Sequence, residues 1–229
     1  MKNKLCKILP AYHNFITFAY AKLPLRMQIA IYHTDSLSDD VIRHQIDALM
    51  PLVPPQRREE ALRYKSPRRQ FDTIKSFCML QELVGHPLPD WQTNEHGKPY
   101  YDPALSQLSP SDLQLPTYFS ISHCSAAIAV AVSDHPVGID VETINRRITP
   151  DLIRYTMNND EQSAIFATLN NQHSTFFRFW TRKEAYLKLI GTGINGDMKD
   201  VLLYLPPHIT ITTTPYPRHG IILSIAQQQ

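Results

Sequence analysis

Three acidic residues and one lysine are spaced so that they could bind a metal ion and a phosphate. Asp140 and Glu142 are two residues apart in the segment GIDVE, so on a β-strand both side chains point to one face. Glu184 and Lys188 are four residues apart in the segment WTRKEAYLK, so on an α-helix they lie one above the other. Carboxylates on two rigid elements, with an ammonium group nearby, suit a divalent cation that holds a phosphorylated substrate.

Each half of this pattern also has an ordinary explanation. Glu184 and Lys188 could form an exposed pair on a solvated helix, worth only about 0.3–0.5 kcal/mol. Asp140 and Glu142 could be solvent-facing residues of a half-buried strand. The two pairs together, on elements of different kinds, favour the metal and phosphate site.

The elements that must position these residues follow from periodicity and capping. The helix that carries Glu184 is predicted over residues 174–190, with Ser174 as its N-cap and Gly191 after its end. The strand that carries Asp140 is predicted over residues 137–143. Other strands are predicted over 28–34, 119–123, 127–133, 208–214 and 220–226, and other helices from near Ser38, Arg57, Ser66, Thr149 and Asn159. This order of elements predicts an α+β fold with two similar subdomains in one chain.

The predicted boundaries divide the chain into three parts. Residues 27–136 form an N-terminal α+β subdomain, and residues 137–229 form a C-terminal one that carries the metal site. The first 26 residues are apolar but interrupted by prolines and polar residues, which argues against both a membrane span and a signal peptide. We expect them to be an appendage, disordered or left from an upstream start, before a folded chain that begins near Met27.

The composition is that of an ordinary soluble globular protein, with 43% hydrophobic and 19% charged residues. A net charge of +2 argues against a general nucleic-acid binder. The three cysteines form no CxxC pair and no metal-ligand cluster, which fits a reducing cytoplasm. We therefore expect a cytoplasmic protein that binds neither nucleic acid nor a membrane, and we expect a monomer.

Several segments together resemble a known family of enzymes. FSISH, GIDVE and WTRKEAYLKLIGTG, in this order and with HGKP upstream, resemble the 4′-phosphopantetheinyl transferases, and most closely their surfactin-synthetase-activating (Sfp-like) group. The resemblance extends from Met27 to Ile225 and implies a pseudo-dimer of two α+β halves. It also implies transfer of 4′-phosphopantetheine from coenzyme A to a serine of an apo acyl or peptidyl carrier protein, with release of adenosine 3′,5′-bisphosphate.

The resemblance assigns roles to the residues of the metal and phosphate site. It implies that Asp140, Glu142 and Glu184 hold Mg²⁺, with Mn²⁺ as an alternative. It makes Glu184 the general base as well, acting directly or through a metal-bound water. Lys188 is expected to contact the phosphates and to neutralise developing charge.

The resemblance also implies a set of contacts to coenzyme A. Ser122 and His123 would contact it, His123 through a phosphate, and Lys98 would lie along the adenine nucleotide. The basic cluster at residues 57–69 would grip the 3′-phosphate, and Thr73 would lie near the adenine. The cluster residues that match best are Arg57 and Arg63.

The chain departs from the family pattern at two positions. Glu60 stands where many relatives carry a second basic residue, and His96 stands where an aromatic residue is common. Arg68 and Arg69 could compensate for Glu60 or could be exposed. The acidic residues match without substitution.

Two other functions stay open at this point. A Mg²⁺-dependent phosphoesterase could use the same acids, although the chain lacks the interleaved aromatic and basic residues of a polynucleotide track. A non-catalytic module that binds carrier proteins would be expected to have lost one acid or Lys188, and none is lost. The segment over residues 149–171 resembles the variable region that docks carriers, but the sequence identifies no docking residue.

Overall fold

The computed structural model describes residues 27–102, 118–168, 170–194 and 196–229, together with the backbone of residues 15–19. The strands are β1 (Phe15–Ala19), β2 (Gln28–His33), β3 (Gln92–Thr93), β4 (Pro99–Tyr100), β5 (Tyr118–His123), β6 (Ala127–Ser133), β7 (Val137–Thr143), β8 (Ile209–Tyr216) and β9 (Ile221–Gln228). The helices are α1 (Asp39–Leu49), α2 (Pro55–Arg63), α3 (Pro67–Val84), α4 (Pro150–Thr156), α5 (Asn159–Ala167) and α6 (Gln172–Ile190). The protein is therefore α+β, as predicted.

Two antiparallel sheets lie at the centre of the molecule. The first has the strand order β1-β2-β6-β5, and the second has the order β7-β9-β8. Strands β3 and β4 form a separate two-stranded ribbon. The first sheet thus belongs to the N-terminal part of the chain and the second to the C-terminal part.

Alternation along the strands divides the apolar side chains between several cores. On β6, Ile128 and Val130 pack in the core that includes α1 and α3. Ala129 points the other way, into a core between the two sheets that also includes Ile139 of β7. The opposite face of the second sheet is covered by the C-terminal helices, where Phe176 packs in a third core. The layers therefore run helices, sheet, sheet, helices.

The edge of β7 meets β5 through serine side chains instead of a backbone ladder. Ser120 Oγ accepts a hydrogen bond from the amide of Ile139 at 3.0 Å. Ser122 Oγ accepts one from the amide of Val141 at 3.2 Å. Two buried edge donors are satisfied in this way, and they hold β5 and β7 side by side.

Gly138 allows α6 to lie close against β7. A Cβ atom at Gly138 would overlap the carbonyl oxygen of Ala185 and the amide nitrogen of Leu189. Because side chains alternate along a strand, Asp140 and Glu142 share the face of Gly138. Both acids therefore lie on the side of β7 that packs against α6.

Two predicted helix starts are wrong by a few residues. Helix α6 begins at Gln172 with Asn171 as its N-cap, so Ser174 lies inside the helix and does not cap it. A turn in which Asn171 N donates to Thr168 O leads directly into the helix and moves its start upstream. Helix α2 begins at Pro55, two residues before the predicted Arg57. Helix α5 begins at Asn159, as predicted, and its N-cap Asn158 forms a capping box with Glu161.

Part of the predicted appendage is a strand. Strand β1 pairs antiparallel with β2 at the edge of the first sheet. The other residues of 1–26 lie outside the described residues, so the predicted boundary at Met27 stays a prediction. In the described part of the chain, the helices are too short or too polar to cross a bilayer.

Candidate metal and phosphate site

Asp140 lies buried where β5, β7 and α6 meet. Its Oδ1 accepts hydrogen bonds from Ser122 Oγ at 2.9 Å and from Lys188 Nζ at 2.7 Å. Its Oδ2 is also buried and has no hydrogen-bond partner within the described ranges. An unpaired buried carboxylate oxygen is costly, so Oδ2 is available to a donor or a cation.

Two further carboxylates, those of Glu142 and Glu184, lie close enough to Asp140 for its negative charge to shift their pKa values. Burial, followed by the charge of Asp140, raises the pKa of Glu142 to about 7, although Arg146 and Lys188 oppose the shift. Burial, followed by the charge of Asp140, also raises the pKa of Glu184, and Lys188 opposes it. The repulsion among these three acids would be relieved by a divalent cation.

The donor set suits a hard cation, although the side chains do not yet surround one position. Among the described residues, no three His, Cys, Asp or Glu side chains converge closely enough to hold a metal ion. Lys188 occupies Oδ1 of Asp140, and Arg146 Nη1 lies 3.5 Å from Glu142 Oε1. The oxygen-only donors and the free Oδ2 of Asp140 fit Mg²⁺, provided that the side chains turn toward it.

His123 stands at the end of β5, beside an acid that the sequence analysis did not single out. Its Nδ1 lies 3.8 Å from Asp72 Oδ2, and 54% of its side chain is exposed. Burial lowers the pKa of His123, whereas the charge of Asp72 raises it. Asp72 is buried on α3 next to Phe71, and an acid on the apolar face of a core helix is the sequence signal that could have drawn attention to it.

Arg57 is already paired within the protein. Its guanidinium donates to Glu60 at 2.5 Å and to Asp90 at 2.6 Å, and it lies 3.9 Å from the centre of the Trp91 ring. A phosphate at Arg57 would have to compete with two carboxylates. Arg63, in contrast, is exposed at the end of α2.

Arg68 is paired within the protein instead of exposed. Its Nε donates to Asp72 Oδ1 at 2.9 Å. Its Nη2 donates to Thr34 Oγ1 at 2.5 Å and to Cys124 O at 3.0 Å. Arg68 therefore ties α3 to the end of β2 and to the turn that follows His123.

Lys98 is bound to the end of α6. Its Nζ donates to Leu189 O at 2.7 Å, and burial lowers the pKa of Lys98. Asn94 Nδ2 donates to Gly191 O at 2.9 Å, so the whole HGKP turn is fastened to this helix end. Cations are favoured at helix C-termini, which explains why Lys98 lies here.

Lys183, next to Glu184 in the sequence, is a fully buried residue that the sequence analysis missed. Its Nζ forms an ion pair with Glu161 at 2.7 Å. It also donates to Thr156 O at 3.1 Å and to Met198 O at 2.7 Å. Lys183 therefore joins α4, α5 and the segment after α6 to the helix that carries Glu184.

Three cavities formed by described residues adjoin the candidate site. The largest, of about 1000 Å³, is lined by Glu142, His123 and Arg146 among others. The second, of about 310 Å³, is lined by Glu184, Lys188 and Lys98. The third, of about 230 Å³, is lined by Arg57, Thr73 and His123. We call these three cavities together the cleft. Ser122 and Lys188 both bond to Asp140, whereas Arg57 and Lys98 line the cleft and bond to other partners.

Comparison with known proteins supports the predicted family. Residues 136–226 match the family model described as the 4′-phosphopantetheinyl transferase superfamily. The matched segment, 91 of the 229 residues, resembles this superfamily. This segment contains all three acids and Lys188 but not Ser122 or His123. The 4′-phosphopantetheinyl transferases are enzymes, so the prediction of an enzyme family is confirmed.

Curated 4′-phosphopantetheinyl transferases resemble the chain over much of its length. The gsp enzyme of Aneurinibacillus migulanus is 26% identical over 162 residues, 68% of this chain and 63% of its own length. The psf-1 enzyme of Bacillus pumilus is 28% identical over 176 residues, 74% of this chain and 71% of its own length. AcpT of Escherichia coli (strain K12) is 31% identical over 144 residues, 61% of this chain and 66% of its own length. The chain thus spans less than two thirds of the gsp enzyme, and these relatives confirm the predicted likeness to the Sfp-like group.

Proposed function

We propose that the protein transfers 4′-phosphopantetheine from coenzyme A to a serine hydroxyl of an apo acyl or peptidyl carrier protein. The other product would be adenosine 3′,5′-bisphosphate. The observation that carries this proposal is the contact of Asp140 with Lys188 and Ser122 within and beside the segment that matches the superfamily. The names of the curated relatives support the same reaction.

The three acids are proposed to hold the divalent cation. Asp140, Glu142 and Glu184 would bind Mg²⁺, or Mn²⁺ in its place. When bound, the cation supplies positive charge to the pyrophosphate of coenzyme A. Oδ2 of Asp140, buried and without a partner among the described residues, supports this assignment. So does the charge of Asp140, which adds to burial in raising the pKa of Glu142 and of Glu184.

Glu184 and Lys188 are proposed to act on the reacting groups. Glu184 would accept the proton of the carrier serine, and its raised pKa makes it a stronger base than an ordinary carboxylate. Lys188 would donate to a phosphate oxygen and neutralise charge that develops there. Its present bond to Asp140 places the ammonium within reach of the acids, and it must exchange that partner for phosphate.

The remaining coenzyme A contacts are proposed along the N-terminal side of the cleft. His123 would donate to a phosphate, Thr73 would lie near the adenine, and Arg63 would contact the 3′-phosphate. We also propose contacts to coenzyme A from Ser122, Lys98 and Arg57. In the present structure these side chains bond to Asp140, to Leu189 O and to Asp90, respectively. Ser122 would then act mainly by orienting Asp140.

The two halves of the chain are proposed to be similar subdomains, over residues 27–136 and 137–229, that form a pseudo-dimer. One antiparallel sheet in each half, with helices on its outer face, supports this arrangement. The metal site would belong to the second subdomain and lie at the contact with the first. We propose that the protein acts in the cytoplasm as a monomer.

The decisive experiment uses fluorescent coenzyme A, Mg²⁺ and a panel of apo carrier proteins. We expect covalent label on at least one carrier and release of the bisphosphate nucleotide. Free nucleotide without labelled carrier would instead indicate a phosphoesterase. Carrier binding without either product would indicate a non-catalytic module.

A further inference from the structure

We propose that Asp72 is a positioning residue that holds the imidazole of His123 with Nε2 directed into the cleft. This inference rests on the proposed function, in which His123 donates to a phosphate of coenzyme A. Asp72 lies on α3, outside the segment that matches the superfamily, and it would act only through His123.

Arg68 fixes the position of Asp72 by bonding to the carboxylate oxygen other than the one nearest His123. Arg68 Nε holds Oδ1 of Asp72, while Arg68 Nη2 bonds to Thr34 Oγ1 and to Cys124 O. Cys124 follows His123 directly, so the same guanidinium fixes both the carboxylate and the backbone beside the imidazole. Only 7% of the Asp72 side chain is exposed, which leaves the carboxylate little freedom.

Oδ2 of Asp72, which has no hydrogen-bond partner among the described residues, lies nearest to one particular ring nitrogen of His123. Oδ2 lies 3.8 Å from Nδ1 of His123. A carboxylate accepts hydrogen bonds and does not donate them, so it favours the ring form with the proton on Nδ1. A small movement of the half-exposed ring would bring this pair to hydrogen-bond distance.

Nε2 then remains on the edge of the ring away from α3. His123 lines both the cavity that contains Glu142 and the cavity that contains Thr73. An imidazole held by Asp72 would therefore present Nε2 where these two cavities adjoin. When the ring is protonated, Nε2 can donate to a phosphate while Nδ1 still donates to Asp72.

A double-mutant cycle tests whether Asp72 acts by positioning His123 or only by stabilising the fold. The four proteins are the parent, Asp72→Asn, His123→Ala and the double variant, each assayed for kcat and for KM of coenzyme A. The asparagine can still accept from Arg68, but its amide nitrogen presents a donor toward Nδ1. We expect Asp72→Asn to lower kcat/KM about tenfold when His123 is present and less than about twofold when it is alanine.

Thr34→Val is the matched control, because it removes the bonds of Thr34 to Arg68 and to Ser125 O but leaves those of Arg68 to Asp72 and Cys124 in place. We expect this variant to unfold at a somewhat lower temperature and to keep the kcat/KM of the parent. Equal losses from Asp72→Asn in both backgrounds, or the same loss from Thr34→Val, would overturn the inference.

Nitrogen NMR of the imidazole gives a readout that does not depend on transfer. The His123 resonances are assigned by their absence in His123→Ala. In the parent at neutral pH we expect the proton of the neutral ring on Nδ1, and in Asp72→Asn we expect it mainly on Nε2. A parent with the proton on Nε2 would refute the role of Asp72, even if the protein proved to have no transferase activity. A parent that shows the Nδ1 form but transfers nothing would leave the inference standing and would refute only the proposed function.

Discussion

Lys188 Nζ and Asp140 Oδ1 are 2.7 Å apart, so an ion pair joins α6 to β7 at the centre of the candidate site. The acid is nearly fully buried, whereas 30% of the lysine side chain is exposed. Lys188 can therefore turn outward more easily than Asp140 can. A phosphate that attracts the ammonium would free Oδ1 for a cation, and substrate binding would then be coupled to the proposed metal site.

Asp140→Asn should remove transfer while the protein stays folded. The amide keeps the size of the side chain and can still accept from Ser122, but it loses the charge that attracts a cation. We expect the rate of carrier labelling to fall at least about 100-fold at saturating Mg²⁺. Asp47→Asn, an exposed acid on α1, is the control and should label at the parent rate. Near-normal labelling by Asp140→Asn would remove this residue from the metal assignment.

Glu184→Gln and Lys188→Ala should affect different steps. Glu184→Gln loses the proposed base, so turnover should fall much further than the affinity for coenzyme A. Lys188→Ala removes a charge-assisted contact to phosphate, so the affinity itself should fall. Calorimetric binding of coenzyme A, measured beside single-turnover transfer, tests both variants. If Glu184→Gln transferred at the parent rate, a water held by another acid would be the better base.

The strand that carries Asp140 and Glu142, and the strand before it, could be predicted from the sequence because their signals are local. The predicted strands over 127–133 and 137–143 match β6 and β7. Strand β6 is an apolar run, and in β7 apolar residues alternate with Gly138, Asp140 and Glu142. The contact between Asp140 and Lys188 could not be predicted in this way. It depends on the close packing of the α6 backbone against Gly138, which has no Cβ. A single glycine in a strand does not allow one to predict which helix will pack against it.

The basic residues were harder to interpret for a related reason. A cluster of arginines in the sequence suggests an anion site, but Arg57 is paired with Asp90, which lies 33 residues further along the chain. Lys98 likewise finds its partner at Leu189. Pairing across such separations depends on the folded arrangement of elements, and no local pattern records it.

Gly138→Ala should damage both stability and transfer. The new methyl group would meet backbone atoms of α6, which cannot turn aside as a side chain can, so we expect a loss of at least about 1–3 kcal/mol in the free energy of unfolding. Gly85→Ala is the control, because its Cβ would meet nothing within 4 Å and only the left-handed backbone is strained. That variant should lose stability but keep its transfer rate. Unfolding by denaturant and transfer below the unfolding range measure the two effects.

Lys183→Met should destabilise the protein strongly, because it leaves Glu161 buried without its cation. A loss of about 3–5 kcal/mol is expected when one partner of a buried ion pair is removed. The double variant Lys183→Met/Glu161→Gln should lose less than Lys183→Met alone, since no unpaired charge remains. Denaturant unfolding of the three proteins checks this order. A double variant less stable than Lys183→Met would show that the ion pair is not the main contribution of Lys183.

A chain beginning at Met27 should fold and transfer, because the candidate site residues lie on later elements. Removal of β1 would uncover the edge of β2, so we expect a lower unfolding temperature than that of the full chain. Size-exclusion chromatography and the carrier-labelling assay are the measurements. Aggregation of the shortened protein, or binding of the full chain to lipid vesicles, would show that residues 1–26 are more than an appendage.

The hydroxyls of Ser120 and Ser122 also hinder strand pairing between two copies of the protein. An uncovered edge strand offers its amides to any other strand that approaches, and this is a common route to intermolecular sheets. Here two side chains from β5 occupy the amides of Ile139 and Val141, so β7 cannot be extended by a second chain at that point. The contact that places Ser122 beside Asp140 thus closes the sheet against aggregation as well.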